Sequence, residues 1–345
     1  MSLDFPFRVR AFSSSLAFFL AFASAQAGPA YHLIKEIPVG GQGGWDYLSV
    51  DSAAARLYVS HATSVVVIDL RADKVVGEIT NTPGVHGLAA APELGRGFVS
   101  CGREDKVAIV DLKTLQTLSK VGTGKNPDGM LYEPLRREAY LFNGRGSSAT
   151  VIDAVSGKVV ATIPLAGKPE FAQADSRAGR VYVNIEDKNE VSVIDTQSHA
   201  VLQHWPIAPG EEPSGMAFDQ KNHRLFLGCG NKLMAMLDSG TGRVVATVPI
   251  GDGVDANSFD PGTGLAFASC SDGTVTVARE DGPEKLTVVQ TLKTERGART
   301  MTIDPRTHRI YLASAKTEAP DPGERRPRIV SGSFKILVYG LDGGK

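Results

Sequence analysis

Short apolar runs of four to six residues, each closed by Gly, Asp, Asn, Pro or Ser, recur along the chain from Tyr31 onward. In the first unit Tyr47 to Val50 runs into Asp51, and Arg56 to Ser60 follows a turn. Val65 to Ile68 comes next, and Lys74 to Ile79 closes the unit. Runs this short, rich in Val, Ile and Tyr and bounded by turn residues, predict strands. No helical period is sustained within the repeats, which excludes helical arrays of similar length.

The same unit returns at a fixed interval. Val67-Ile68-Asp69, Ile109-Val110-Asp111, Val151-Ile152-Asp153, Val193-Ile194-Asp195 and Met236-Leu237-Asp238 lie 42 or 43 residues apart. A period of this length with four strands per unit predicts blades arranged around an axis, because one unit cannot bury its own core. Two degenerate copies follow. The sixth has Arg279 and Glu280 where the Asp should be, and the seventh supplies three strands ending with Phe334 to Tyr339. Tyr31 to Ile37 is expected to provide the missing fourth strand, closing the ring and removing the open sheet edges. The fold class predicted is all-β, a seven-bladed β-propeller of four-stranded antiparallel blades.

Asn126-Pro127-Asp128-Gly129 and Glu212-Pro213-Ser214-Gly215 precede strands, and Arg-x-Tyr-Val and Val-Ile-Asp follow them. In these phrases the chain resembles the YVTN-repeat family of bacterial β-propellers, the YncE-like proteins. The resemblance spans nearly all of the chain after its first residues; blade six and the long loop of blade seven depart from it. It implies an exported seven-bladed propeller and no single chemistry, since propellers host binding and catalysis alike.

Residues 1–27 read as a targeting segment, and 28–345 as the propeller domain. Arg8 and Arg10 form a basic start, Ala11 to Ala23 is mostly apolar, and Ala25-Gln26-Ala27 is a small-x-small cleavage site. A periplasmic or secreted product without a membrane span is expected, and a monomer. The net charge of −1 argues against a nucleic-acid partner, which wants a basic field. Cys101, Cys229 and Cys270 fall at one repeat position in different blades. That spacing favours small packing residues over a disulfide, which needs Cβ atoms a few ångströms apart.

In an up-and-down blade, the link leading into the inner strand and the link between strands two and three share one face, the upper face. Five residues before Asp51, Ala91, Glu133, Asp175, Asp219, Asp260 and Asp304 stand Asp46, His86, Asp128, Glu170, Ser214, Asp255 and Arg299. One register position thus carries four carboxylates, an imidazole and a guanidinium, all expected at the mouth of the central channel. Crowded carboxylates raise one another's pKa, which favours a bound cation. A hard divalent metal such as calcium would take oxygens from Asp46, Asp128, Glu170 and Asp255, and a transition metal would add His86. The plain alternative is that Asp and Ser close turns at strand ends.

Arg103 and Arg145 follow Cys101-Gly102 and Asn143-Gly144 at matching positions, and Arg296 and Arg299 bracket Gly297-Ala298. These guanidinium groups read either as an anion clamp or as salt-bridge partners of the ring. Trp45, after the run Gly40-Gly41-Gln42-Gly43-Gly44, reads as a stacking surface for a ligand or as packing between blades one and seven. The loop 316–333, with three prolines and three arginines, stands over the same face as a lid, a partner contact or a solvated insertion. The repeat Asp residues read as turn formers.

Two functions follow. The first is a binding or scaffold protein that holds a small ligand or envelope partner at the channel mouth. The second is a hydrolase or lyase of the propeller lactonase kind, in which a metal or Arg pair polarises a carbonyl and Asp46, His86, Asp128 or Glu170 moves protons.

Overall fold

The structure, a computed structural model, describes residues 1–3, 30–320 and 327–341, so the expected leader falls almost wholly outside that range. Seven four-stranded antiparallel sheets form the blades. Their inner strands are Trp45–Asp51, Leu88–Ala91, Pro127–Glu133, Pro169–Asp175, Pro213–Asp219, Val254–Asp260 and Met301–Asp304. Blade one continues outward through Arg56–His61, Ser64–Asp69 and Lys74–Ile79, and the other blades repeat that order. Among the described residues no helix is long and apolar enough to cross a membrane.

The core lies between blades rather than within them. Seven apolar clusters each join two neighbours. One packs Phe98 and Ile109 of blade two on Leu141 and Ile152 of blade three. Another packs Tyr182 and Trp205 of blade four on Leu225 and Leu237 of blade five. Fully buried rings such as Phe98, Phe226 and Phe267 contribute roughly 1.5–3 kcal/mol each. A single blade exposes these surfaces, which is why the repeat is stable only as a ring.

The chain's start closes that ring. Tyr31–Pro38 pairs antiparallel with Lys335–Leu341, with Tyr31 opposite Leu341, and forms the outermost strand of blade seven. Gln290 of blade six ties it to the next blade, its Oε1 accepting from the Tyr31 amide at 2.9 Å and its Nε2 donating to the Tyr31 carbonyl at 2.8 Å. The third strand of blade seven begins one residue later than the sequence predicted. Phe334 precedes it, its carbonyl accepting from the Val39 and Gly40 amides while its ring stacks on His61 at 4.2 Å and against Trp45 at 5.3 Å, joining blade seven to blade one.

The repeat Asp residues close turns as read. Asp69 Oδ1 accepts from the amides of Arg71 and Ala72 at 2.8 Å each, and Asp111 Oδ1 from Lys113 and Thr114 at 2.9 and 2.6 Å. These backbone bonds hold both carboxyls below their ordinary pKa. The three cysteines are buried and free of disulfides. The long loop has a stem: Thr317–Glu318 pairs with Arg328–Ile329, and the Gly332 amide donates to Gly41 O at 2.8 Å.

The inner strands carry a feature that simple alternation does not predict. Trp45 faces His61 and Leu48 faces Val59, so Asp46 and Tyr47 together oppose Ser60 alone. The same bulge sets Asp128 and Gly129 opposite Phe142 in blade three, and Glu170 and Phe171 opposite Asn184 in blade four. Ser214 and Gly215 repeat it in blade five. A β-bulge adds one residue to the strand and re-aims the side chains there. Every one of these bulges falls at the channel mouth.

Candidate functional site

His86 lies at the centre of the channel-mouth ring. Its Nδ1 is 2.7 Å from Asp46 Oδ2 and 3.3 Å from Asp128 Oδ1, so donors from three consecutive blades meet at one point. The backbone fixes them there: the Asp46 amide donates to Ser60 Oγ at 2.8 Å and the His86 amide to Ser100 Oγ at 2.9 Å. These two serines occupy the same repeat position on the second strands of blades one and two.

The remaining ring members divide into pairs. Glu170 contacts Lys168 Nζ at 2.5 Å, and Lys168 also pairs with Glu186. Asp255 Oδ2 contacts Arg299 Nε at 2.6 Å, and Ser214 Oγ reaches Asp255 Oδ1 at 3.4 Å. Glu170 and Asp255 therefore stand apart from the Asp46–His86–Asp128 triad, each held by its own cation. Arg299 plays the salt-bridge role. Lys168 was not singled out from the sequence; its signal is the run Lys168-Pro169-Glu170, which places a cation two residues before a ring carboxylate.

Below the ring two aromatic side chains meet across the channel. Tyr47 and Phe171 meet edge to face at 5.2 Å, and the Tyr47 hydroxyl is 3.5 Å from Glu170 Oε2. Their neighbours make room by being small. A Cβ on Gly87 would sit 3.0 Å from that of Tyr47, and one on Gly129 would meet Glu170 O at 2.4 Å. The mouth is therefore a polar bowl over an apolar floor.

Burial and crowding shape the protonation of the bowl. Burial pushes Asp128 up to about 6; His86 opposes this and Asp46 adds to it. Burial also lifts Glu170, and the Asp128 charge lifts it further against the pull of Lys168. Burial works against the imidazolium of His86, but Asp46, Asp128 and Glu170 outweigh it and raise its pKa. The Tyr47 hydroxyl is raised well above its ordinary value, by burial first and by the surrounding carboxylates second.

Beside the triad opens a cavity of about 980 Å³ on the upper face, walled by loops of blades one, two and three. Asp46 and His86 line its inner side, and Arg103, Lys125 and Arg145 its outer side. Trp45 also lines it, and its ring packs on Phe334 between blades one and seven. Arg296 is exposed and does not line the cavity. The loop stem of blade seven borders a second hollow, with Gln42, Gly43 and Arg328, beside this one.

No family model matches the chain. Two proteins named "Uncharacterized protein YncE", from Salmonella typhi and Salmonella typhimurium, are each 25% identical to it over 162 residues. Those matches cover 45% of this chain and 46% of each relative, so the chain spans about half the length of the curated relatives it matches. Among solved structures, that of U3-55K superposes with a TM-score of 0.76 over 90% of this chain and 99% of its own, at 13% identity. The RRP9 WD40 repeats give a TM-score of 0.76 over 91% and 98%, also at 13% identity. At that identity the likeness concerns the fold alone. The partial sequence match and the ring of seven blades together fit a YncE-like β-propeller.

Proposed function

We propose that this protein is a binding protein of the cell envelope that holds a small ligand in the bowl on the upper face of its propeller. The observation that carries the reading is the 980 Å³ cavity whose inner side is the Asp46–His86 pair and whose outer side is cationic. Its volume suits a small molecule, and concave sites with a few convergent polar groups are where such molecules bind. Export is part of the reading and rests on Arg8, Arg10, the apolar stretch and Ala25-Gln26-Ala27. N-terminal sequencing of the product secreted by a bacterial host tests it; a chain still beginning at Met1 would overturn it.

A second reading places a divalent cation on Asp46, His86 and Asp128, whose donor atoms all lie within 4.8 Å of one another. One imidazole nitrogen with two carboxylate oxygens suits a transition ion better than calcium, which takes six or more oxygens. A cation there would supply Lewis-acid chemistry of the lactonase kind. The chain's own part is to hold the donors, Asp46 and Asp128 on the bulges of blades one and three and His86 in the link before the inner strand of blade two.

The binding reading is tested by thermal-shift screening of small metabolites against the parent and His86→Ala. A ligand that stabilises the parent and loses at least tenfold in affinity on His86→Ala, with the fold retained by circular dichroism, supports it. If every hit binds both proteins equally, the bowl is not the binding site.

A further inference from the structure

We infer that the ligand taken by this bowl is a small multivalent anion, a phosphate ester or a di- or tricarboxylate, gripped by Arg103, Lys125 and Arg145. The inference rests on the binding reading above and gives it a ligand class.

The three cations reach the cavity from separate segments. Arg103 and Arg145 sit in the turns between strands two and three of blades two and three, at equivalent positions, and Lys125 lies in the link between those blades. Lys168 is paired with Glu170 and Glu186, Arg299 with Asp255 and Lys120 with Glu104, while Arg296 is exposed and lies outside the cavity. Among the described residues, Arg103, Lys125 and Arg145 make no ion pair and no side-chain hydrogen bond. Arg and Lys side chains left unpaired around one concavity repel one another and keep their donors free, which is the arrangement that bidentate recognition of carboxylate or phosphate uses.

The cavity's own carboxylates do not cancel them. Asp46 is engaged by His86, and Asp105 accepts the Asn126 amide at 2.8 Å. Three cations without an ion-pair partner thus line the cavity against two carboxylates, one held beside His86 and one accepting a backbone amide. The loops are built for close approach. Gly84 has φ +67°, and a Cβ there would meet the Arg103 amide nitrogen at 2.8 Å. A Cβ on Gly102 would meet Gly84 O at 2.9 Å. The cavity is compact rather than a stripe, so it suits a small molecule and not a nucleic-acid backbone, in keeping with a net charge of −1.

The test is isothermal titration of the full chain with inorganic phosphate and, separately, with citrate, at low and at physiological salt. Saturable binding of either by the parent is expected, weakening at higher salt, and which of the two binds more tightly identifies the source of the anion. Arg103→Ala and Arg145→Ala should each lower affinity about tenfold or more, Arg145→Lys should lower it less, and Lys293→Ala, on the exposed end of blade six's outer strand, should leave it unchanged. Thermal midpoints within a few degrees of the parent show that the variants fold. The proposal is overturned if neither anion binds the parent, or if the double variant Arg103→Ala/Arg145→Ala binds as the parent does. Should a neutral or cationic hit from the thermal-shift screen depend on His86 while both anions fail, the bowl stands and the anion class falls. Should nothing depend on His86, the binding reading itself has failed.

Discussion

Tyr47 of blade one and Phe171 of blade four meet edge to face at 5.2 Å beneath the channel mouth. The contact spans blades that are not neighbours, so it braces the ring across its axis while flooring the polar bowl. Large-to-small changes here should open the channel. Tyr47→Ala and Phe171→Ala are each expected to lower stability by about 2–3 kcal/mol. Tyr47→Phe, which gives up only a hydroxyl 3.5 Å from Glu170, should stay close to the parent. Urea denaturation checks this; a midpoint for Tyr47→Ala equal to the parent's would show that the floor is not packed.

The blades, their order and the closing strand were legible because Val-Ile-Asp and the turn chemistry recur at a fixed period. The mouth residues were legible too, since counting back from the Asp at the end of each inner strand needs only register. What the count could not show is the bulge. Strict alternation puts Asp46 and Tyr47 on opposite faces, whereas the extra residue opposite Ser60 brings both to the channel. Tyr47 and Phe171 were missed for that reason. Lys168 was missed because it lies in the link just before the inner strand, where a side chain has no direction fixed by strand register.

Protonation of the bowl predicts how stability follows pH. Asp128 is held at about 6 in the fold, above its ordinary 3.8, so it favours the folded state below pH 4 and loses that contribution as pH rises through 6. His86, also raised, works in the same direction and loses its contribution above its raised value. Asp46, Glu170 and Lys168 face the same space and remain common to parent and variant. Asp128→Asn should therefore gain on the parent by about 1–3 kcal/mol at pH 8 and show little difference at pH 4. Thermal midpoints across that range decide it. An equal offset at both ends would mean that Asp128 is not shifted.

A cation on the triad makes a separate prediction. Cobalt(II) chloride added to the chelator-treated protein should bind near one equivalent, with visible absorption bands of a nitrogen-and-oxygen site, and raise the thermal midpoint. His86→Ala and Asp128→Asn should abolish uptake, whereas Asp255→Asn, whose partner is Arg299, should not. Uptake that survives His86→Ala would place the metal elsewhere.

Ring closure by Tyr31–Pro38 predicts a change of state as well as of stability. This strand covers Lys335–Leu341, whose Ile336, Leu337 and Val338 are buried in the closed ring. A chain starting after Pro38 would leave that strand as an unpaired apolar edge, the usual template for pairing with another molecule. It would also lose the two hydrogen bonds between Gln290 and Tyr31, worth about 1 kcal/mol each. The shortened protein should unfold less cooperatively and form dimers or larger species by light scattering, in proportion to concentration. Gln290→Ala, which keeps the strand and removes only its tie to blade six, should instead remain in the parent's oligomeric state and lose about 1–2 kcal/mol. The two variants separate the roles: if the shortened chain keeps the parent's oligomeric state and midpoint, the six complete blades hold the ring without its closing strand.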